Sequence, residues 1–160
     1  MHEFHLHVEQ TIHAPLDRVF AFFSNAGNLE AITPPIVGFR ILTPQPIAMH
    51  EGALIDYSIR LHGIPIRWRT RINAWEPPSS GSGTGRFIDE QLQGPYRLWI
   101  HEHTFEAVGP TTTFVKDHVR YAVPGGPLLD RTIERLLIRP RLEHIFHYRK
   151  VAIERALVPR

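Results

Sequence analysis

Two imidazoles two residues apart, followed by an acid on the next strand-like run, are where this sequence could grip a polar group or move a proton. His101-Glu102-His103 lies in the alternating run Tyr96 to Val108, and a second alternating run spans Thr112 to Val123. Side chains on a strand point to opposite faces in turn, so His101 and His103 share one face and Glu102 takes the other. A turn through Gly109-Pro110-Thr111 with Val108 opposite Thr112 sets His103 against Asp117 and His101 against Val119. It also sets Phe105 against Val115 and Trp99 against Tyr121, and all eight residues then form one inward face. Ionisable groups among such large apolar side chains are costly to bury alone. This face therefore predicts a ligand- or solvent-filled cavity in preference to a dry core.

Three chemistries fit the His-Asp pair. The histidines can be a hydrogen-bonded cavity wall. Asp117 can orient His103 as a general acid/base, although the substrate proton such a pair would act on is not visible in a sequence. Two histidines at alternating strand positions can also chelate a metal, which needs a third ligand; no metal or cofactor is expected from the residues alone. A second acidic signal, Asp89-Glu90-Gln91, precedes the turn signal Gly94-Pro95. Direct closure at that dipeptide turns Glu90 inward beside Trp99, whereas a bulge turns in Asp89 and Gln91.

The elements that must carry these residues follow from periodicity. Phe4 to Ile12 alternates as a strand. Ala14-Pro15 opens a helix with Val19, Phe20, Phe22 and Phe23 on its apolar side, ending near Ser24 to Gly27. A second short helix is expected at Asn28 to Ile32, stopped by Thr33-Pro34-Pro35, and a short strand at Gly38 to Leu42. Next come Ala53 to Leu61 and Pro65 to Trp75, joined through His62-Gly63-Ile64. A two-residue Gly63-Ile64 turn puts Leu61 opposite Ile66, Ile59 opposite Trp68 and Tyr57 opposite Thr70 on one face. The other face pairs Asp56 with Arg71 and Ser58 with Arg69, so apolar and charged side chains separate cleanly. Glu76 to Gly85 is a loop by composition, and its GSGTG precedes a strand, which is the wrong context for a phosphate loop. Arg86 to Leu92 is the next strand. After Pro124-Gly125-Gly126-Pro127 a long helix carries Leu129, Ile133, Leu136, Leu137, Leu142, Ile145, Phe146, Ala152 and Ile153 as a core-facing stripe, with a kink at Pro140 near Arg139. Arg131, Arg135, Arg139 and Arg149 are expected on its solvated face.

The 160 residues suit one domain. Cysteine is absent, which excludes disulfides and thiolate chemistry. No apolar run approaches a membrane span and no signal-like region opens the chain, so a soluble cytoplasmic protein without stable membrane insertion is expected. The net charge of +2, with 16 Arg and 2 Lys, is too weak a field to indicate nucleic acid. Arg67, Arg69 and Arg71 do alternate on one strand face, with Arg60 across the hairpin. They make either a platform for phosphate, acidic lipid or RNA, or a solvated outer face partnered by Asp56 and Glu90. Single-strand binders interleave exposed aromatics with such residues, whereas Trp68 points to the opposite face.

Strands and helices are segregated, and the later strands are joined by short links, which implies an α+β fold with an antiparallel sheet. The expected architecture is seven strands curved around a long C-terminal helix, with two short helices after the first strand. That order resembles the START-like helix-grip superfamily, home of the birch-pollen allergen. The resemblance is carried by His13-Ala14-Pro15 to Phe22-Phe23, Asn28-Leu29 to Thr33-Pro34-Pro35, Gly94-Pro95 with Trp99 and His103, and Asp117 to Tyr121 with Pro124. It spans essentially the whole chain and is strongest to the small bacterial polyketide cyclase/dehydrase-like branch. The resemblance implies a hydrophobic cavity between sheet and helix for a lipid, isoprenoid or polyketide-like molecule, carries over no catalytic residue, and favours Asp89 and Gln91 as the inward pair.

The leading expectation is a binding or carrier protein for a hydrophobic or amphipathic small molecule, held by Tyr57, Trp68, Asp89, Gln91, Trp99, His101, His103, Asp117, Val119 and Tyr121. The alternative is a cyclase, dehydratase or hydrolase using His103 and Asp117 as an acid/base pair. A third is an interaction module using the Arg67/Arg69/Arg71 face.

Overall fold

The computed structural model describes residues 2–61, 63–126 and 128–158. His62 and Pro127, which fall in two of the expected turns, lie outside the described residues. The elements are β1 (Phe4–Ile12), α1 (Leu16–Phe23), β2 (Arg40–Ile41), β3 (Leu54–Leu61), β4 (Ile64–Glu76), β5 (Thr84–Gln93), β6 (Leu98–Gly109), β7 (Thr112–Ala122), α2 (Asp130–Ile133) and α3 (Arg139–Leu157). The strands form one antiparallel sheet in the order β1-β7-β6-β5-β4-β3-β2, so the last strand pairs with the first. This is the helix-grip architecture, with the C-terminal helix packed over the sheet. No described helix is long and apolar enough to cross a membrane.

Three buried clusters hold it together, the smallest made of Ala26, Ala53, Ile55 and Ile72. Val19 and Phe20 of α1 pack with Ile12, Phe87, Phe105, Val115 and Ile153. Farther along the sheet, Leu142 and Phe146 of α3 pack with Leu6, Trp68, Trp99, Val119 and Tyr121. Burying each such large side chain is worth about 1.5–3 kcal/mol. Gly85 permits the close approach of α1, because a Cβ there would stand 2.8 Å from the Phe20 ring.

Several expectations are corrected in detail. The β3–β4 turn is one step earlier than expected: Leu61 pairs with Ile64, Ile59 with Ile66, Tyr57 with Trp68 and Asp56 with Arg69, and Gly63 takes a φ of 82°. The slip is two residues, so by the period of two every side chain keeps its expected face. On β6–β7 the expected pairs from Trp99–Tyr121 to Phe105–Val115 are present, but Gly109 rather than Val108 meets Thr112. Val108 bulges out and is 55% exposed. Asn28 to Ile32 makes a single turn, closed by the Ile32 N–H on the Asn28 carbonyl at 3.2 Å; the regular 3₁₀ segments flank it at Ala26–Asn28 and Pro35–Val37. The strand expected at Gly38 to Leu42 is reduced to Arg40–Ile41.

The long helix departs most from expectation. Between α2 and α3 the backbone widens into a π-helical turn, Glu134–Ile138, in which the Arg139 N–H reaches the Glu134 carbonyl. Pro140 has no N–H, and its ring would crowd the carbonyl four residues back, so the wide turn takes up the mismatch that a kink was expected to absorb. The expected apolar stripe breaks with it: Leu142, Phe146 and Ile153 are buried, but Leu129, Leu136 and Leu137 are exposed. Glu134 is buried instead. It accepts from the Tyr121 hydroxyl and from Arg139 Nε, both at 2.7 Å, and so ties the π turn to β7. Arg139 is thereby partnered and not simply solvated.

Candidate functional site

Strand alternation on β6 runs Trp99, His101, His103, Phe105 along the concave face, from the apolar cluster under α3 to the one under α1. The imidazoles occupy the seam between the two. They border a cavity of about 610 Å³ enclosed by the sheet, the α3 side chains Leu142 and Phe146, and a rim that includes Ile36, Leu137 and Arg141. Trp68, at the middle of its wall, stacks on Tyr57 with ring centroids 5.6 Å apart and meets Trp99 edge-on at 5.4 Å.

Asp117 reaches both histidines. It is opposite His103 in the ladder and diagonal to His101, and all three are buried. His101 Nε2 lies 3.0 Å from Asp117 Oδ1 in a hydrogen bond. His103 Nδ1 is 2.7 Å from the same oxygen, but bent out of hydrogen-bond alignment, so this is a charge contact. The other nitrogens face Asp89 from β5: His103 Nε2 is 3.2 Å from Asp89 Oδ2 and His101 Nδ1 is 3.7 Å from it. Two imidazoles are thus held between two carboxylates, one buried behind them and one at the cavity wall.

Burial works against charge on Asp117, His101 and His103, and the partners decide the outcome. For Asp117, burial would raise the carboxyl, but the contacts from His101 and His103 outweigh it and hold the group far below the usual carboxylate range. For His103, burial would lower the ring, and Asp117 and Asp89 together outweigh it, so it keeps its proton above the ordinary imidazole range. For His101, burial and the neighbouring His103 charge win over the two carboxylates, and its ring is lowered. The two rings, centroids 3.8 Å apart, are thus shifted in opposite directions, His103 up and His101 down. Asp89, His101 and His103 also offer three donor atoms within 4.8 Å of one another, so Asp89 is placed where a third donor beside the two histidines would be needed.

Of the residues expected at the site, Tyr57, Trp68, Asp89, Trp99, His101 and His103 line the cavity. Asp117 supports the histidines from behind, and Val119 and Tyr121 belong to the packed cluster beneath the cavity. The Asp89-inward alternative is the one observed: Asp89 lies opposite His101 and Glu90 opposite Ile100, one residue away from the register that direct closure at Gly94-Pro95 would give, and an odd offset exchanges the two faces. Gln91 is drawn into the β5–β6 loop: its side chain donates to the Tyr96 carbonyl at 2.7 Å and accepts from the Tyr96 N–H at 3.3 Å, so it holds the turn. Two of the three platform arginines are already partnered, Arg69 by Asp56 at 2.7 and 2.8 Å and Arg71 by Glu90 at 3.1 Å.

Tyr96 and Arg149 also line the cavity and were not expected there. Burial pushes the Tyr96 phenol up to about 12. Arg149 is not on a solvated face: it stands over the Phe146 ring, and its buried Nε has no hydrogen-bond partner among the described residues. Its signal was present in the spacing Leu142, Phe146, Arg149, Ile153, which runs down one helical face. Trp68 Nε1 is a second buried donor without a partner.

The chain is similar in fold to proteins of known structure. The Zhui aromatase/cyclase from Streptomyces sp. R1128 superposes with a TM-score of 0.71 at 15% identity, covering 96% of this chain and 92% of that one. Truncated norcoclaurine synthase from Thalictrum flavum gives 0.67 at 14% identity, covering 99% and 95%. The major latex-like protein 151 from Panax ginseng gives 0.64 at 13% identity, covering 98% and 99%. No curated protein sequence matches the chain. Residues 12–143 match the family model described as polyketide cyclase / dehydrase and lipid transport. That match takes in strands β2 to β7, most of the cavity lining and the four-membered His-Asp cluster, and the chain belongs to this family.

Proposed function

We propose that this protein binds an amphipathic small molecule in the cavity, its apolar body against Tyr57, Trp68 and Trp99 and its polar end toward Asp89, His101 and His103. The observation that carries the reading is a 610 Å³ space whose wall is mostly aliphatic and aromatic, with one cluster of buried ionisable groups and, among the described residues, two buried donors without a partner, Trp68 Nε1 and Arg149 Nε. Small-molecule sites have this volume and this mixture of apolar wall with few polar groups. A buried donor without an acceptor costs about 1–3 kcal/mol, a deficit that an oxygen-bearing ligand would remove. The family description favours a polyketide or a lipid as that ligand, and the chain would act as one ligand-binding unit. Native mass spectrometry of protein purified from cells should detect a retained small molecule that Trp68→Ala releases. Protein that carries none, and that also fails to bind apolar fluorescent probes, would overturn the proposal.

One observation favours a second reading, catalysis on the bound molecule. His103, whose ring is raised, and His101, whose ring is lowered, stand side by side with centroids 3.8 Å apart, an arrangement suited to a cyclisation or dehydration, which needs a base to take a proton from carbon and an acid to protonate a departing or enolising oxygen. In that reading Asp117 positions the rings and Asp89 shares the transferred proton. His103→Gln would then retain the ligand and abolish its conversion; undiminished conversion would exclude His103 as the acid.

A further inference from the structure

A second set of histidines lies on the opposite side of the sheet. Alternation along β1 sends His5 and His7 to the outer face, and the β1–β7 register sets His7 directly against His118. His5, one step along the same face, approaches the same ring: His5 Nδ1 is 2.9 Å from His118 Nε2. The three rings stack, with centroids 4.1 Å apart for His7–His118 and 5.2 Å for His5–His118. Each offers a nitrogen within 4.8 Å of the others. His5 and His7 are exposed and His118 is half-buried, so the cluster is open to solvent and separate from the cavity.

We infer that His5, His7 and His118 form a binding site for a divalent first-row transition ion of borderline softness, with Zn²⁺ as its representative, on the outer face of the sheet. Imidazole nitrogens bind such ions at about 2.0–2.1 Å, and three of them around a tetrahedral ion stand roughly 3.4 Å apart. The nitrogens here already bracket that separation, and exposed rings on a rigid strand pair reach it by small rotations. A supporting carboxylate is present: His5 Nε2 faces Glu3 Oε1 at 3.5 Å, which favours a proton on Nε2 and leaves the Nδ1 lone pair toward His118. Glu3 is itself fixed by Arg120 at 2.7 Å, and Glu102, opposite His118, is bound by Arg86 at 2.6 Å. The first ligand sphere is therefore three imidazoles with a fourth position facing solvent. Thiolates do not compete, since the chain has none.

The test is calorimetric titration of chelator-treated protein with ZnCl₂ at pH 7.5, repeated on His7→Gln, His118→Gln and Asp89→Asn. The first two variants should each weaken binding by on the order of 100-fold or more, since loss of supporting partners alone costs 10–100-fold, while Asp89→Asn should leave this site unchanged. Bound Cu²⁺ should show hyperfine coupling to several nitrogens in its electron paramagnetic resonance spectrum. Absence of Zn²⁺ binding would overturn the inference, and so would binding that survives both histidine variants but is lost in Asp89→Asn, which would put the ion in the cavity. Ligand retention in the cavity is read separately, by native mass spectrometry of the wild type and Trp68→Ala, so the failure of one proposal is distinguishable from the failure of the other.

Discussion

Replacing Asp117 by Asn keeps the shape of the site and removes the charge on which both imidazoles depend. Asp117 is 7% exposed, accepts from His101 Nε2 at 3.0 Å and touches His103 Nδ1 at 2.7 Å. Removing one partner of a buried ion pair costs about 3–5 kcal/mol when the other must stay charged. Here His103 can release its proton and keep a hydrogen bond to Asp89 at 3.2 Å, so the expected loss is smaller, about 2–3 kcal/mol, the value of one charge-assisted hydrogen bond. The pH dependence has a definite sign. A raised imidazole contributes stability that is fully present below its unfolded value near about 6.5 and is lost as pH rises through the folded value. Wild-type His103 is raised, so the gap between wild type and Asp117→Asn should be widest near pH 6 and narrow on the alkaline side. Urea unfolding followed by circular dichroism at pH 6, 7, 8 and 9 measures that gap, and the His103 ring resonances report its titration directly. A gap that is flat across this range, or a His103 that titrates in wild type as an ordinary imidazole, would refute the assignment of the proton to His103.

Further outcomes are expected elsewhere. Phe146→Ala should cost about 3–5 kcal/mol in chemical unfolding, because a buried ring that closes the cavity against α3 is lost; a cost below 1 kcal/mol would mean the helix does not pack there. Glu134→Gln should weaken the link from Tyr121 to Arg139 by about 1.5–3 kcal/mol and speed amide exchange across Glu134–Ile138. Unchanged exchange would show that the π turn is held by Pro140 alone. Asp56→Ala breaks an exposed pair with Arg69 and should cost under about 1 kcal/mol, the difference shrinking in high salt.

Alternation carried most of the site. A period of two on Tyr96 to Val108 and Thr112 to Val123 separates eight inward residues from their neighbours, and all eight are buried. The rule is local, and it survives the β3–β4 slip because a two-residue shift moves no side chain through the sheet. Whether Asp89 or Glu90 turned inward was open because it depends on the geometry of one loop, which Gln91 closes by hydrogen bonds that composition does not reveal.

The rest was decided by packing between distant parts of the chain. That Asp117 serves two histidines follows from the stagger of neighbouring strands, which brings a diagonal residue within reach. That Arg149 enters the cavity while Leu136 remains outside and Leu137 reaches only its rim follows from the π turn, which rotates one end of the helix relative to the other. The outer histidines meet because the first strand pairs with the last, across 113 residues of sequence. Pattern along the chain determined which faces are apolar and where the ionisable groups project. Closure of the sheet and docking of the helix determined which of those groups touch, because contact distances depend on stagger and rotation that no local period encodes.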